Sequence, residues 1–339
     1  MNIIIPMAGR GSRLRPHTLT TPKPLVPVAG KPIVERLVED IVRMLPTAVD
    51  KIAFVTGRFG EDSERDLLEV AKRLGAEGKI CYQDEPLGTA HAILCGEELL
   101  EGPVVVAFAD TLFRADFTID ADADGVLFTQ KIEDPSAFGV VVTDDDGNIT
   151  DYVEKPKEFI SDQAMIGIYS FKDGARLKSE LQYLIDNNIL LSGEYQLPDA
   201  LRNMTHSGVK FIPGEVSEWM DCGNKAVTVE TNRRVLDILE EEGRLHEGTG
   251  IDPSATIIDS TIIQPCFIGP GATVVRSVVG PHVSIGPNTA VTNSTLQDCL
   301  IQGDTTIDNS VMDGAMVGAK SSVVGTPLDV SIGDFCKIG

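Results

Sequence analysis

The residues that first suggest chemistry form a basic, glycine-rich loop near the amino terminus. The loop follows the apolar run Ile3 to Ile5, reads Gly-Arg-Gly-Ser-Arg-Leu-Arg-Pro from Gly9, and is followed by Lys-Pro-Leu-Val-Pro from Lys23. Glycines let a backbone approach a phosphate and direct N–H groups at it, while Arg13 and Lys23 can neutralise its charge. The loop therefore predicts a polyphosphate site, with an ordinary tight turn as the alternative. It is not a Rossmann fingerprint, because Leu14 stands where the third glycine would be.

The elements that must position this loop follow an α/β pattern. After the loop, apolar residues recur at the spacing of one face of an amphipathic helix: Val34, Leu37, Val38, Ile41, Val42 and Leu45. Apolar runs predict strands at 52–55, 79–82 and 104–109, and helices at 66–74 and 90–100. This alternation is typical of a mostly parallel sheet with helices on both faces. Short strands over 125–171 predict an added antiparallel layer.

The periodicity changes from Ile251 onward. Aliphatic residues now recur every five or six positions: Ile251, Ile257, Ile262, Ile268, Val274, Val279, Ile285, Val291, Leu296, Ile301, Ile307, Met312, Val317 and Val323. Hexapeptide repeats of this kind build a parallel β-helix with three faces per coil, because each turn buries one aliphatic residue per face. We expect about five coils, since a disordered tail would not keep this register.

Composition excludes several classes of protein. Of the 339 residues, 42% are hydrophobic, and 29 Lys and Arg face 51 Asp and Glu, which gives a formal charge of -22. That sign is wrong for a protein that coats nucleic acid or an anionic membrane. The six cysteines lack C-x-x-C spacing and predict free thiols. With no segment typical of a signal peptide or a membrane span, we expect a cytoplasmic protein.

Six motifs along the chain resemble those of one enzyme family. They are the basic loop with its Lys-Pro-Leu-Val-Pro-Val-Ala-Gly-Lys-Pro run, Gln-Asp-Glu-Pro-Leu-Gly-Thr-Ala-His-Ala from Gln83, Phe-Ala-Asp ending at Asp110, Phe-Gly-Val-Val from Phe138, Glu-Lys-Pro from Glu154, and Trp-Met-Asp-Cys-Gly from Trp219. In this order they resemble the sugar-1-phosphate nucleotidylyltransferases, the nucleotide-sugar pyrophosphorylases. The resemblance extends to about residue 232.

The resemblance implies a fold and a domain organisation. It predicts an α/β class protein with the nucleotide-diphospho-sugar transferase fold, a Rossmann-like α/β/α sandwich around a mixed sheet. Longer family members carry a left-handed parallel β-helix, as the hexapeptide periodicity here predicts independently. We therefore expect a nucleotidyltransferase catalytic domain over residues 1–240, a linker over 241–250 and a left-handed β-helix over 251–339.

The resemblance also implies a reaction. A sugar-1-phosphate oxygen attacks the α-phosphorus of an NTP and pyrophosphate leaves, so the main barrier is repulsion between two anions. Mg2+, the expected cofactor, would be held by Asp110 and Asp221 and would bridge the two phosphates. Arg13 would stabilise the leaving pyrophosphate, Lys23 the α-phosphate and Lys155 the sugar phosphate.

Two sets of binding residues follow from the same motifs. The expected nucleotide-binding residues are Ala8, Gly9, Gly11, Ser12, Arg13, Gln83, Gly88 and Thr89. The expected sugar-phosphate-binding residues are Gly139, Glu154, Lys155 and Gly167.

The substrates stay open at this point. Gln83 offers a donor and an acceptor that can pair with a thymine or uracil edge, which favours dTTP or UTP with glucose-1-phosphate. Mannose-1-phosphate guanylyltransferases share the Lys-Pro-Leu run and are the alternative with the same chemistry. A regulatory subunit that binds nucleotide sugars without catalysis is an alternative of another class. A bifunctional enzyme with an acyltransferase β-helix is a third, and its catalytic histidine would have to be His282.

Ordinary structural roles compete for several of these residues. Asp110 can cap the turn after its strand, Asp221 can form an Asx turn, and Lys155 can be a solvated lysine. His91 is expected on a helix at the edge of the pocket. No catalytic motif lies beyond Asn232, so a chain that ends after Gly248 is expected to keep activity. The β-helix would then serve a homo-oligomer, with no nucleic acid or membrane as partner.

Overall fold

The computed structural model describes residues 1–9, 11–120, 122–245, 250–325 and 330–338. These residues form two compact units: Met1–Gly9 with Glu35–Trp219, and Arg10–Val34 with Met220–Gly339. The basic loop thus belongs to the same unit as the C-terminal repeats. The domain boundaries at 240 and 250 stay a prediction, and residues 246–249 of the predicted linker lie outside the described residues.

Six helices and thirteen strands occupy the described residues up to Glu241. The helices are α1 (Ile33–Met44), α2 (Glu61–Arg73), α3 (Thr89–Leu94), α4 (Gly174–Asp186), α5 (Leu197–His206) and α6 (Lys225–Glu241). The strands are β1 (Asn2–Pro6), β2 (Pro27–Val28), β3 (Lys31–Pro32), β4 (Lys51–Thr56), β5 (Glu77–Tyr82), β6 (Val104–Ala107), β7 (Thr111–Arg114), β8 (Gly125–Lys131), β9 (Gly139–Thr143), β10 (Ile149–Glu154), β11 (Gln163–Phe171), β12 (Phe211–Glu215) and β13 (Glu218–Asp221).

A nine-stranded mixed sheet forms the centre of the first unit. Its main path is β10-β9-β11-β6-β1-β4-β5, and β8 joins β11 to β12. Strand β1 is parallel to β4 and β6, whereas β11 is antiparallel to β6 and β8. Ile3, Ile4 and Ile5 are fully buried, as expected for a strand covered on both faces. The predicted mixed sheet of an α/β protein is confirmed.

Helices α3, α4 and α5 supply apolar residues to one core with this sheet. Leu177, Leu181 and Leu201 are fully buried there, and each such side chain contributes about 1.5–3 kcal/mol by leaving water. The helix predicted over 90–100 was wrong in length, because α3 ends at Leu94 and a 3-10 turn follows over Glu97–Leu99. At the break, a Cβ on Gly96 would lie 3.2 Å from Ile4 Cγ2, so the backbone approaches β1 closely.

The repeats of the second unit form the expected left-handed parallel β-helix. Its strands are β14 (Thr256–Ile258), β15 (Thr261–Ile262), β16 (Cys266–Ile268), β17 (Thr273–Val275), β18 (Val278–Val279), β19 (Val283–Ile285), β20 (Ala290–Thr292), β21 (Thr295–Gln297), β22 (Leu300–Ile301), β23 (Thr306–Asp308), β24 (Val311–Asp313), β25 (Met316–Val317), β26 (Ser322–Val324), β27 (Ser331–Ile332) and β28 (Lys337–Ile338). They stack into parallel faces of six, four and five strands, in agreement with about five coils.

The inward residues of the β-helix match the hexapeptide prediction closely. Val274, Val291 and Ile307 stack in register and are fully buried. The first coil departs from it, since Ile257 is 37% exposed on β14, the edge strand of its face, and Ile251 and Ile262 are only partly buried. At the corners, buried hydroxyls satisfy the backbone: the N–H groups of Ser294 and Ser310 donate to the serine hydroxyl one coil earlier, at 3.0 and 3.1 Å.

The cysteines and the helices bear on two further expectations. All six cysteines are free thiols, as predicted. Within the described part of the chain, the helices are too short or too polar to traverse a bilayer.

Candidate active site

The basic loop of the second unit folds back on itself. It contains 3-10 turns at Ser12–Leu14 and Lys23–Leu25, and Gly11 between β1 and the first turn has φ +57. A Cβ on Gly11 would lie 2.8 Å from Lys23 Cβ, and Thr18 Oγ1 donates to Gly11 O at 2.7 Å. Glycine is therefore required for this close approach. Arg13 is exposed, whereas Lys23 is only 8% exposed.

Four predicted positions of the first unit follow the carboxyl ends of three parallel strands. Ala8 and Gly9 follow β1, Asp110 follows β6 and Gln83 follows β5. Strands β6, β1, β4 and β5 are adjacent and parallel, so these segments leave the sheet at the same edge. In open α/β sheets, ligands bind at this edge. A Cβ on Gly9 would meet no described atom within 4 Å, which leaves space for a ligand beside its backbone.

The predicted base-binding turn packs closely against the segment that leads into α5. Gly88 has φ +111, and a Cβ there would lie 2.4 Å from Tyr195 O, so only glycine fits. Thr89 Oγ1 donates to Gln196 Oε1 at 3.2 Å and accepts the Leu197 N–H at 2.9 Å. The turn is thereby anchored to the start of α5.

The side chain of Gln83 lies against this turn. Its Nε2 donates to Gly88 O at 3.1 Å and lies 3.2 Å from His91 Nδ1. A carbonyl oxygen only accepts, so the amide nitrogen must face Gly88 and the amide oxygen faces away. His91 lies on α3 as predicted, but its contact with Gln83 was missed, because the turn at Gly88 that joins them is not visible in helical periodicity.

The predicted sugar residues of the first unit also lie together. Gly139 on β9 pairs in register with Glu154 on β10, and a Cβ on Gly139 would lie 2.8 Å from Glu154 Oε2. Lys155 Nζ lies 3.7 Å from Glu154 Oε1, and the Lys155 N–H donates to Phe138 O at 3.0 Å. Lys155 has φ +45, so its backbone leaves the strand abruptly.

Gly167 lies on β11 at an irregularity in the pairing with β8, with φ +84. Its carbonyl accepts the Phe108 N–H at 2.9 Å, two residues before Asp110. The structure therefore brings Gly167 to the segment that carries Asp110. It brings Gly139, Glu154 and Lys155 together at the ends of β9 and β10.

The two predicted metal-binding aspartates are both half-buried. A Cβ on Gly223 would lie 2.7 Å from Asp221 Oδ2, so glycine leaves this carboxylate accessible. The residues described contain no cluster of three or more His, Cys, Asp or Glu that could hold a metal. Mg2+ is usually held by one or two carboxylates together with substrate phosphates and waters, so the chemistry of each carboxylate fits it.

Trp219 is held by two contacts within the first unit. Trp219 Nε1 donates to Thr111 Oγ1 at 3.4 Å, and the Trp219 ring packs edge-on against Phe138 at 4.7 Å between centroids. Thr111 follows Asp110 in the chain, and Trp219 stands two residues before Asp221.

The histidine of the acyltransferase alternative lies between two carboxylates. His282 Nε2 is 2.7 Å from Asp237 Oδ1 on α6, and His282 Nδ1 is 3.2 Å from Asp298 Oδ1. Of these two contacts, only the one with Asp237 is a hydrogen bond, because Asp298 Oδ1 has no hydrogen-bond partner among the described residues.

Comparison with known proteins decides the family. Residues 2–238 match the family model of the nucleotidyl transferases. The chain belongs to the nucleotidyl transferase family. The family assignment confirms the resemblance to sugar-1-phosphate nucleotidylyltransferases and identifies the chain as an enzyme of this type.

Three similar proteins illustrate the breadth of this family. The chain is 30% identical over 271 residues to the low-salt glycan biosynthesis nucleotidyltransferase Agl11 of Haloferax volcanii, covering 77% of this chain and 73% of the relative. It is 30% identical to the mannose-1-phosphate guanylyltransferase catalytic subunit beta of Drosophila pseudoobscura pseudoobscura, covering 75% and 70%. A solved structure of a putative glucose-1-phosphate thymidylyltransferase from Bacillus anthracis is 26% identical, with a TM-score of 0.57, covering 69% and 94%.

Proposed function

We propose that this nucleotidyltransferase uses dTTP or UTP in preference to other NTPs and glucose-1-phosphate in preference to other sugar phosphates. Its products are then an NDP-glucose and pyrophosphate. The likeness to the putative glucose-1-phosphate thymidylyltransferase from Bacillus anthracis supports this pair.

The observation that carries the base preference is the orientation of the Gln83 amide. Its nitrogen is engaged with Gly88 and His91, which leaves the amide oxygen as an acceptor for a ligand. Thymine and uracil present the N3–H donor that such an acceptor needs, whereas adenine and cytosine present a ring-nitrogen acceptor. Two acceptors facing each other are left unpaired, so ATP and CTP are disfavoured. Bidentate pairing through the side chain would require the amide nitrogen to leave Gly88.

Guanine also presents an N–H donor, so Gln83 does not by itself reject GTP. Mannose-1-phosphate guanylyltransferase activity is therefore the second candidate, and the likeness to the Drosophila enzyme favours it specifically. The size of the base decides between the two, because a purine needs a deeper slot beyond Gly88 than a pyrimidine does.

Each charged residue then neutralises a different part of the two anionic substrates. Arg13, exposed on the basic loop, neutralises the leaving pyrophosphate, and the buried Lys23 neutralises the α-phosphate. Lys155 holds the sugar phosphate, while Glu154 and Gly139 accommodate the sugar. Mg2+, when held by Asp110 and Asp221, supplies charge neutralisation between the two anions.

The proposal is tested by measuring pyrophosphate release for a matrix of NTPs and sugar-1-phosphates. We expect dTTP and UTP to exceed GTP and ATP in kcat/KM by at least about tenfold. A preference for GTP would replace the pyrimidine assignment by the guanylyltransferase one. No release with any pair would favour a regulatory subunit.

A matched pair of variants tests the role of Gln83. Gln83→Ala should reduce the ratio of kcat/KM for dTTP over ATP more than it reduces kcat. Gln182→Ala, on the exposed face of α4, should leave the ratio unchanged. An unchanged ratio in Gln83→Ala would assign base recognition to the backbone instead.

Assembly is the remaining part of the proposal. On the four-stranded face of the β-helix, Val278 and Val311 lie outward in one column and are 37% and 52% exposed. Exposed aliphatic residues in a flat, repetitive column suit association with a second copy of the chain. Light scattering of Val278→Glu, compared with the parent, tests this assignment, and an unchanged mass would contradict it.

A further inference from the structure

The five-stranded face of the β-helix carries an outward column that is covered along its middle. Pairing in register places these residues above one another: Phe267, Ser284, Leu300, Met316 and Ser331. We call this set the covered column. Ser284, Leu300 and Met316 are 5%, 1% and 0% exposed, although their neighbours along each strand are the ones that fill the interior of the β-helix.

The first end of the covered column contacts the end of the basic segment, residues 11–32. A Cβ on Gly30 would lie 2.3 Å from the Phe267 ring, so the ring packs directly on the Gly30 backbone. Ser284 Oγ donates to Asn232 Oδ1 at 2.7 Å, and the same oxygen accepts the Ala29 N–H at 2.9 Å. Two coils thus hold residues 29 and 30.

The other end of the covered column contacts the start of the same segment. Ser331 Oγ lies 3.1 Å from His17 Nε2, and the Thr20 hydroxyl donates to the Asp334 carboxylate. A Cβ on Gly333 would lie 2.8 Å from Pro16 Cβ. His17 is fully buried in this contact.

The two contacts are separated by four strand-to-strand steps, which is roughly 19 Å at the usual spacing of about 4.8 Å. The fourteen-residue stretch from His17 to Gly30 reaches across this distance and contains Lys23. Its helical and strand structure is limited to the 3-10 turn over Lys23–Leu25 and the two-residue strand β2. Ordering such a segment costs conformational entropy, which contacts at both ends offset before a ligand arrives.

We infer that the covered column is a positioning surface that holds the basic segment in its triphosphate-binding conformation. The inference rests on the proposed function, because it takes Arg13 and Lys23 as the triphosphate contacts. The β-helix then supports catalysis as well as assembly, and Phe267, Ser331 and Gly333 act as positioning residues. None of them needs to touch the substrate.

Gly333→Ala is the sharpest variant for a test. The φ of Gly333 lies outside the left-handed region, so alanine is compatible with its backbone and the added Cβ meets Pro16. Ser331→Ala removes the contact with His17. Ser322→Ala is the matched control, since Ser322 lies outward on the six-stranded face in the neighbouring coil. Phe267→Ala tests the opposite end independently of the last coil.

Two readouts are measured for each variant: amide hydrogen exchange in residues 11–32 and the KM values for NTP and sugar-1-phosphate. We expect faster exchange in this segment and an NTP KM raised by at least about tenfold in Gly333→Ala, because small misplacements are costly. The KM for sugar-1-phosphate should change by less than about twofold, because Lys155, which holds the sugar phosphate in the proposed function, lies outside this segment. Ser322→Ala should match the parent in both readouts.

The outcomes separate this inference from the proposed function. Unchanged exchange in residues 11–32 for both Gly333→Ala and Phe267→Ala would overturn the inference, even in an active enzyme. Faster exchange with equal rises in both KM values would also overturn it, since the effect would not be specific to the triphosphate. If exchange rises but the parent transfers no nucleotide, the proposed function fails and the positioning contact stands.

Discussion

Two faces of the same β-helix have opposite surroundings. On the five-stranded face, Leu300 and Met316 point outward and are buried, whereas Val278 and Val311 on the four-stranded face point outward and are exposed. All four are apolar, so hydropathy does not distinguish the two faces. The difference arises from what packs on each face, and for the covered column part of that is the basic segment some 300 residues earlier in the chain. The repeat pattern therefore identifies the interior residues of the β-helix, but it does not identify the segments that pack on its outer faces.

Removal of the whole β-helix should have the largest effect. The motif order predicts that a chain ending after Gly248 stays active, but it would lose both contacts of the basic segment, at Phe267 and at Ser331. We now expect kcat/KM for the NTP to fall by about a hundredfold or more. Pyrophosphate release measures this, with Val311→Ala in the full chain as the control. Near-parental kcat/KM in the truncated chain would show that neither face contributes to catalysis.

Substitutions at the proposed metal site test catalysis separately from the two faces of the β-helix. Asp110→Asn and Asp221→Asn should each lower kcat by about a hundredfold, because each removes charge from the proposed metal site. Their melting temperatures and the hydrogen exchange of residues 11–32 should match the parent. Asp146→Asn, in an exposed turn, is the control for the charge change. Near-native turnover at saturating magnesium would remove that aspartate from the proposed site.

The contrast in burial between the two faces predicts a contrast in stability. Leu300→Ala should lower the free energy of unfolding by about 2–5 kcal/mol, because it leaves a cavity at a residue that is 1% exposed. Val311→Ala, at a residue that is 52% exposed in the single chain, should change it by less than about 0.5 kcal/mol when unfolding is measured below the concentration at which copies associate. Denaturant unfolding measures both values. Equal losses in the free energy of unfolding would mean that burial of the covered column does not contribute to stability.

The same contrast explains which parts of the structure could be predicted from the sequence. Val274, Val291 and Ile307 were predicted correctly as interior residues, because a hexapeptide period is local and repeats. Gly11 and Gly88 were identified from motifs, and their positive φ supplies the physical reason for glycine. The contact of His17 with Ser331 joins residues 314 positions apart, and nothing in the spacing of either segment indicates it. Contacts of that kind need the folded structure.

The smallest predicted effect concerns pH at the end of the covered column. Burial lowers the pKa of His17 to about 4, with nearby Asp334 raising it and Lys225 lowering it. The unfolded chain binds a proton near the ordinary histidine pKa of about 6.5, so it binds more protons than the folded chain between these two values. Titration of His17 therefore does not change the free energy of unfolding above pH ~6.5. It lowers this free energy as the pH decreases from there towards 4.

At pH 5 this linkage amounts to about 2 kcal/mol of stability lost relative to neutral pH. His17→Gln keeps a polar partner for Ser331 but does not titrate, so its stability should fall less than that of the parent between pH 7.5 and 5. The measurement is the free energy of unfolding of both proteins at the two pH values, because carboxylates titrate equally in both and cancel in the difference. Parallel losses in the two proteins would mean that His17 is solvated in the folded chain and that the last coil does not hold the basic segment as described.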